Sequence, residues 1–179
     1  AEIPGVMAIG MLRGIELVRL NSDDTVTPLG VADGLDDEIT LIVALPQRTL
    51  WAGTTAGAAI RLRLNPDGSI ADLTRFDATR GLPPGAGWVN LTATADRMLV
   101  AVREGVFQLS HDGEKLIPHP AFAEHHPAGV NTLPFDSDRA GRFWFQIARP
   151  DGRYETGCLD TRAPHPTWTP LDPAIDEAL

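Results

Sequence analysis

Leu50-Trp51-Ala52-Gly53-Thr54, followed by Gly57, is the stretch from which the fold can be read, because the chain repeats it. Ahead of it stands Gly34-Leu35-Asp36-Asp37-Glu38-Ile39. The same order returns as Gly81-Leu82-Pro83, Trp88-Val89-Asn90-Leu91, Met98-Leu99-Val100-Ala101-Val102 and Gly105. It returns again as Ala128-Gly129-Val130-Asn131-Thr132-Leu133, Phe143-Trp144-Phe145-Gln146-Ile147 and Gly152. Gly34 and Gly81 are 47 positions apart, Gly57 and Gly105 48, and Gly105 and Gly152 47. Strand-like repeats of this length are the signature of propeller blades, whereas helical solenoids would show a 3.6-residue pattern. A partial repeat precedes them, with Val6–Gly10 matching the second element and Gly14–Leu20 the third.

Each full repeat reads as four strands, A to D. In the first they fall near 39–45, 49–54, 58–64 and 70–76; in the second near 88–94, 97–102, 105–110 and 114–118. In the third they fall near 130–136, 142–148, 153–159 and 166–169. The apolar, β-branched run Ile39–Val43 predicts an inner strand covered on both faces. The alternation Ile60-Arg61-Leu62-Arg63-Leu64 predicts a half-exposed strand. Thr74-Arg75-Phe76-Asp77 and the run 115–120 suit outer edges, where polar residues and proline guard against pairing. Asp67-Gly68, Asp112-Gly113 and Asp151-Gly152 predict type I′ hairpins, which need positive φ at both central residues.

The expected fold is therefore all-β: a β-propeller of four-stranded antiparallel blades, about 3.5 to 4 of them. They divide as a partial blade at 1–30, blades at 31–79, 80–127 and 128–170, and a tail at 171–179. Such a number makes a partial ring or half of a larger one. The remainder of a longer chain or a second copy is then the expected partner that closes it; a four-bladed ring closed by the tail is the less favoured arrangement, because Asp172, Asp176 and Glu177 suit an inner strand badly.

The 179 residues carry 43% apolar residues and a net charge of −9, which fits a folded domain and excludes the clustered basic surface of a nucleic-acid binder. No apolar run reaches the length of a membrane-spanning helix, so direct membrane insertion is not expected. Residue 1 is Ala and no charged leader with an apolar core opens the chain, so a processed product or a trimmed segment is expected. Cys158 is the single cysteine and reads as a small buried apolar residue.

The motifs resemble the two-component regulator propeller repeat. Its Gly-Leu-Pro turn, Leu-Trp-x-Gly-Thr strand and following Gly match Asp33-Gly34-Leu35, Leu50–Thr54 and Gly57 in the first repeat. Arg80-Gly81-Leu82-Pro83 with Val89 matches in the second, and Val130-Asn131, Asp138–Gly141 and Phe143-Trp144 in the third. The resemblance covers about residues 5–170. It implies a periplasmic or extracellular sensor half of a membrane receptor in bacterial signal transduction, with a cytoplasmic location as the alternative.

The expected function is non-catalytic sensing of an unknown small-molecule ligand or protein partner. Phase in the repeat places Asp36, Asp37, Trp88, Asn90, His126 and Asn131 in or beside the loops that precede the inner strands. Core packing is the leading reading of Trp88, yet it is also the best ligand-contact candidate. Trp51 and Trp144 read as core wedges. No cofactor and no metal is expected: adjacent His125 and His126 point to opposite faces of a strand, and the stretch 118–127, with His119, reads as a solvated loop. Asp136-Ser137-Asp138 with Gly141 lacks the further ligands of a calcium loop and reads as the A–B turn. The alternatives are a propeller hydrolase or lyase, which needs His125 or His126 within about 3 Å of an acid or nucleophile, and a protein-interaction scaffold.

Overall fold

A computed structural model describes residues 3–93, 98–123, 132–138, 140–148, 151–160 and 167–171. Among these residues fifteen strands and almost no helix make an all-β fold. Strands β1 (Val6–Gly10), β2 (Ile15–Leu20) and β3 (Val26–Val31) form a three-stranded sheet. Strands β4 (Ile39–Leu45), β5 (Thr49–Thr54), β6 (Ala59–Leu64) and β7 (Ile70–Phe76) form a four-stranded sheet. The third sheet holds β8 (Asn90–Ala93), β9 (Met98–Val102), β10 (Gly105–Leu109) and β11 (Leu116–Pro118). The fourth holds β12 (Thr132–Ser137), β13 (Arg142–Ala148), β14 (Tyr154–Asp160) and β15 (Trp168–Pro170). Every sheet runs in chain order, as a meander requires, and the strand pairings are antiparallel. A short helix α1 (Pro120–Ala123) follows β11. No helix among the described residues is long and apolar enough to cross a membrane.

The chain divides into two compact units, Ala1–Leu91 and Thr92–Leu179. In the first, Ile15, Leu17, Ala52, Ile60 and Leu62 are fully buried. Trp51 is buried, as a core residue is expected to be, and stacks at 5.1 Å on Phe76 of its own sheet. In the second, Leu99, Phe143, Phe145, Ile147 and Leu159 form the core with Phe122 of α1.

Four expectations are corrected. The run Ile39–Val43 is not covered on both faces: Thr40 and Leu41 are exposed, and β5 and β6 hold the most buried positions instead. The reason is pairing, since β4 is an edge strand whereas β5 and β6 have neighbours on both sides. Trp144 is no wedge. Phe143, Phe145 and Ile147 take the core face of β13, so the two-residue period turns Trp144 to the other face, where its Nε1 donates to Asp138. The Asp-Gly hairpins are not type I′: in each, positive φ falls on the glycine alone, at +88° for Gly68, +75° for Gly113 and +82° for Gly152. Gly68 donates to the Asn65 carbonyl and Asn65 to the Ser69 carbonyl, a type I turn closed by a left-handed residue. Both residues of a pair are left-handed instead at Gln47 and Arg48, with φ of +62° and +57°. Finally, His119 is not solvated: it is 5% exposed and meets Phe122 edge to face.

Candidate functional site

Four connections of the first unit gather at one end: 11–14 between β1 and β2, 32–38 between β3 and β4, 55–58 between β5 and β6, and 77–89 between β7 and β8. Backbone hydrogen bonds staple them together. Gly14 N–H donates to the Asp37 carbonyl, and Ile39 N–H to the Met11 carbonyl. Thr55 N–H donates to the Glu38 carbonyl, and Val89 N–H to the Thr54 carbonyl at 2.9 Å. Donors and acceptors that loops would otherwise leave to water are thus matched across four segments, so the rim is preorganised.

The candidate residues divide on this rim. Asp36 is exposed, and Asn90, the first residue of β8, is half-buried. Trp88 is 66% exposed, against the core-packing reading, while its neighbour Val89 is 1% exposed. The reason is alternation: with Val89 pointing inward, Trp88 points out. Asp37 is committed to a partner, because both its carboxylate oxygens accept from the Arg75 guanidinium. His126 and Asn131 lie outside the described residues.

Arg75 and Asp77 were not expected at the rim. Arg75 bridges Asp37 and Asp77, donating from Nε to Asp77 at 3.1 Å. Asp77 in turn caps the short 3₁₀ turn Ala78–Arg80, accepting from the Thr79 N–H and hydroxyl. The Thr79 hydroxyl and amide, then Arg75, hold its carboxyl below the usual range. The spacing Arg75-x-Asp77 at a strand end carried a signal for this, since residues two apart in a strand share a face. This acid–base–acid chain ties Asp37 and Asp77 to one guanidinium, while Asp36 and Glu38 are exposed.

In the second unit Asp138 closes the β12–β13 turn, as expected for Asp136–Gly141. It accepts from Arg142 N–H, from Arg142 Nε at 2.7 Å and from Trp144 Nε1. These donors, the Arg142 amide foremost, draw its carboxyl from 3.8 to about 2. A depressed folded-state value stabilises the fold above pH 4 and ceases to do so as pH falls from about 4 towards 2. The expected result is that Asp138→Asn unfolds earlier in urea than the wild type at pH 6, with the deficit narrowing at pH 2. A deficit of equal size at both values would mean that the turn is held without help from the charge. Cys158 is 3% exposed, and burial pushes its thiol up, which disfavours the thiolate. Among the described residues no three His, Cys, Asp or Glu side chains gather as metal ligands.

No protein-family model matches the chain, and no curated protein matches it. Among solved structures it is similar to an engineered GH43 glycoside hydrolase with endo-xylanase and exo-arabinofuranosidase activity, at 11% identity and a TM-score of 0.40. The alignment covers 95% of this chain and 41% of that one.

Proposed function

We propose that the chain is part of a β-propeller and serves as a non-catalytic sensing module of a bacterial receptor, with the rim at 11–14, 32–38, 55–58 and 77–89 as its binding surface. Trp88 carries this reading. A large apolar side chain 66% exposed on a stapled loop is held ready to be covered, and buried tryptophans dominate binding energies when a partner covers them. The repeat's resemblance to regulator propellers and the in-order antiparallel sheets support the same reading. Arg75 supports the non-catalytic part, because it neutralises Asp37 and Asp77, the carboxylates that a hydrolytic pair would need free. A ligand seated on Trp88, Asp36 and Asn90 would favour one arrangement of the rim, which is the population shift that a sensor requires.

The test is a thermal-shift and fluorescence screen of sugars, amino acids and dicarboxylates against the wild type and Trp88→Ala. A ligand found with the wild type should lose at least tenfold in affinity in the variant, about 1.4 kcal/mol. The unliganded variant should melt within about 2 °C of the wild type, because an exposed position contributes little to stability. Unchanged affinity in Trp88→Ala would remove the rim from the binding surface.

A further inference from the structure

We infer that the ligand of the rim is a small organic ammonium ion, its charge held by Glu38 and its apolar body by Trp88. The inference rests on the rim being the binding surface and adds the chemical class that it takes. Both side chains are exposed, and both are fastened to one turn, 55–58 between β5 and β6. On one flank Thr55 N–H donates to the Glu38 carbonyl, and the Thr55 hydroxyl donates to the Glu38 carboxylate at 3.5 Å. On the other flank Val89 N–H donates to the Thr54 carbonyl. The backbone of Ala86 and Gly87 lies against Gly57, where a Cβ would stand 3.3 Å from the Gly87 nitrogen. Trp88 sits in the chain between those two anchors.

The turn itself resists deformation. Thr54 is fully buried, and its hydroxyl donates to the Ala58 carbonyl at 2.9 Å while accepting from the Ala56 and Ala58 N–H groups. Pulling such a network apart would leave buried groups unpaired, so the turn keeps one shape. Two hydrogen-bonded spacings then separate Glu38 from the segment that carries Trp88, about 10 Å. The exposed residue of the turn between them is Ala56, whose methyl group leaves the gap open. A carboxylate takes charge-assisted hydrogen bonds from an ammonium group, and an indole face attracts both cations and apolar groups. Held at this spacing, the pair suits a molecule with an ammonium group at one end and an apolar group at the other.

The arginines of the rim do not reverse that sign. Arg75 is shared between Asp37 and Asp77, and the Arg80 guanidinium stands 5.8 Å from the Phe76 ring. Arg13 belongs to the 11–14 connection, which bonds to the Asp37 carbonyl and the Ile39 N–H. Glu38, between those two residues, directs its carbonyl the opposite way, to Thr55. Asp33 and Asp36 are exposed on the same connection as Glu38 and add to its negative potential. An anionic ligand would be repelled on that side, and a neutral one would forgo the charge that Glu38 offers.

The probe is phenylethylammonium, compared with phenylethanol and phenylpropionate, which keep the ring and change the charge. Each is titrated at low salt onto isotopically labelled protein, and the indole N–H resonance of Trp88 is followed, assigned by its loss in Trp88→Ala. The cation should move this resonance and bind at least tenfold more tightly than the alcohol, and the anion should bind more weakly than the alcohol. Glu38→Gln, an isosteric change at an exposed position, should bring the cation down to the affinity of the alcohol, and added salt should narrow the same gap in the wild type. Equal affinity for cation and alcohol, or cation binding that survives Glu38→Gln, overturns the ammonium ion and leaves the rim as the binding surface. Cation binding that leaves the Trp88 resonance unmoved overturns both. No binding of the cation overturns the inference alone, because Trp88→Ala tests the rim with other ligands.

Discussion

Phe76→Ala is expected to destabilise the first unit by about 3–5 kcal/mol, the range for emptying a buried aromatic site. Phe76 is completely buried at the end of β7. Its ring lies against Trp51, with 27° between the planes, while the guanidinium groups of Arg61 and Arg80 stand 5.2 and 5.8 Å from its centroid. Removing it leaves a cavity beside Trp51 and takes away the π face over which two cations sit. Phe76→Leu separates the two effects: it keeps most of the apolar volume and loses the face. Its expected cost is about 1–2 kcal/mol, the scale of one repacked site with a partly desolvated cation–π contact. Urea unfolding followed by tryptophan emission checks both. Equal losses for Ala and Leu would mean that the ring matters only through its π face. A negligible loss for Leu would mean that it matters only through its volume. The effect should reach the rim, since Phe76 stands between Arg75 and Asp77, the bridge and the cap that brace it.

The strands of the three full repeats were legible in the sequence to within about two residues because their signals are local. Alternation and turn residues fix where β5, β7 and β13 begin and end without knowledge of what lies opposite. Trp51 was legible as a core residue, since its phase puts it inside a strand. What sequence could not give depends on neighbours in space. The exposure of β4 follows from its being an edge, and composition does not announce an edge. The outward turn of Trp144 was recoverable from Phe143-x-Phe145-x-Ile147, had period been weighed above the appeal of an in-phase tryptophan. The Arg75–Asp37 pair spans 38 positions and exists only because the β3–β4 connection meets the end of β7. The hairpin type was misread because Asp-Gly serves two turn classes, and the choice between them lies in loop length.

Gly53→Ala is expected to destabilise the first unit by about 1–3 kcal/mol, the cost of overpacking, and to disturb the rim as well. Gly53 adopts ordinary extended backbone, so alanine suits its conformation; the conflict is one of space. A Cβ there would overlap the carbonyl oxygen of Val89 and lie 3.2 Å from its carbonyl carbon, both backbone atoms. Val89 cannot withdraw freely, because its N–H is bonded to Thr54 and its side chain is buried. The displacement must therefore pass to the neighbouring residues, and the nearest exposed one is Trp88. Gly34→Ala is the contrasting case: nothing stands within 4 Å of its Cβ, but φ is +78°, so it should cost about 1 kcal/mol of local strain. The comparison separates stability from rim geometry. Gly53→Ala should shift the Trp88 emission and weaken any ligand held there, whereas Gly34→Ala should leave both as they are. If the two variants behave alike, the rim does not depend on the close approach of β5 to the segment leading into β8. The repeat supports that dependence. Where β9 lies beside β12, the position in phase with Gly53 is the small residue Ala101. The glycine of the Leu-Trp-Ala-Gly-Thr stretch is thus explained by what passes over it, and the same passage places Trp88 at the rim.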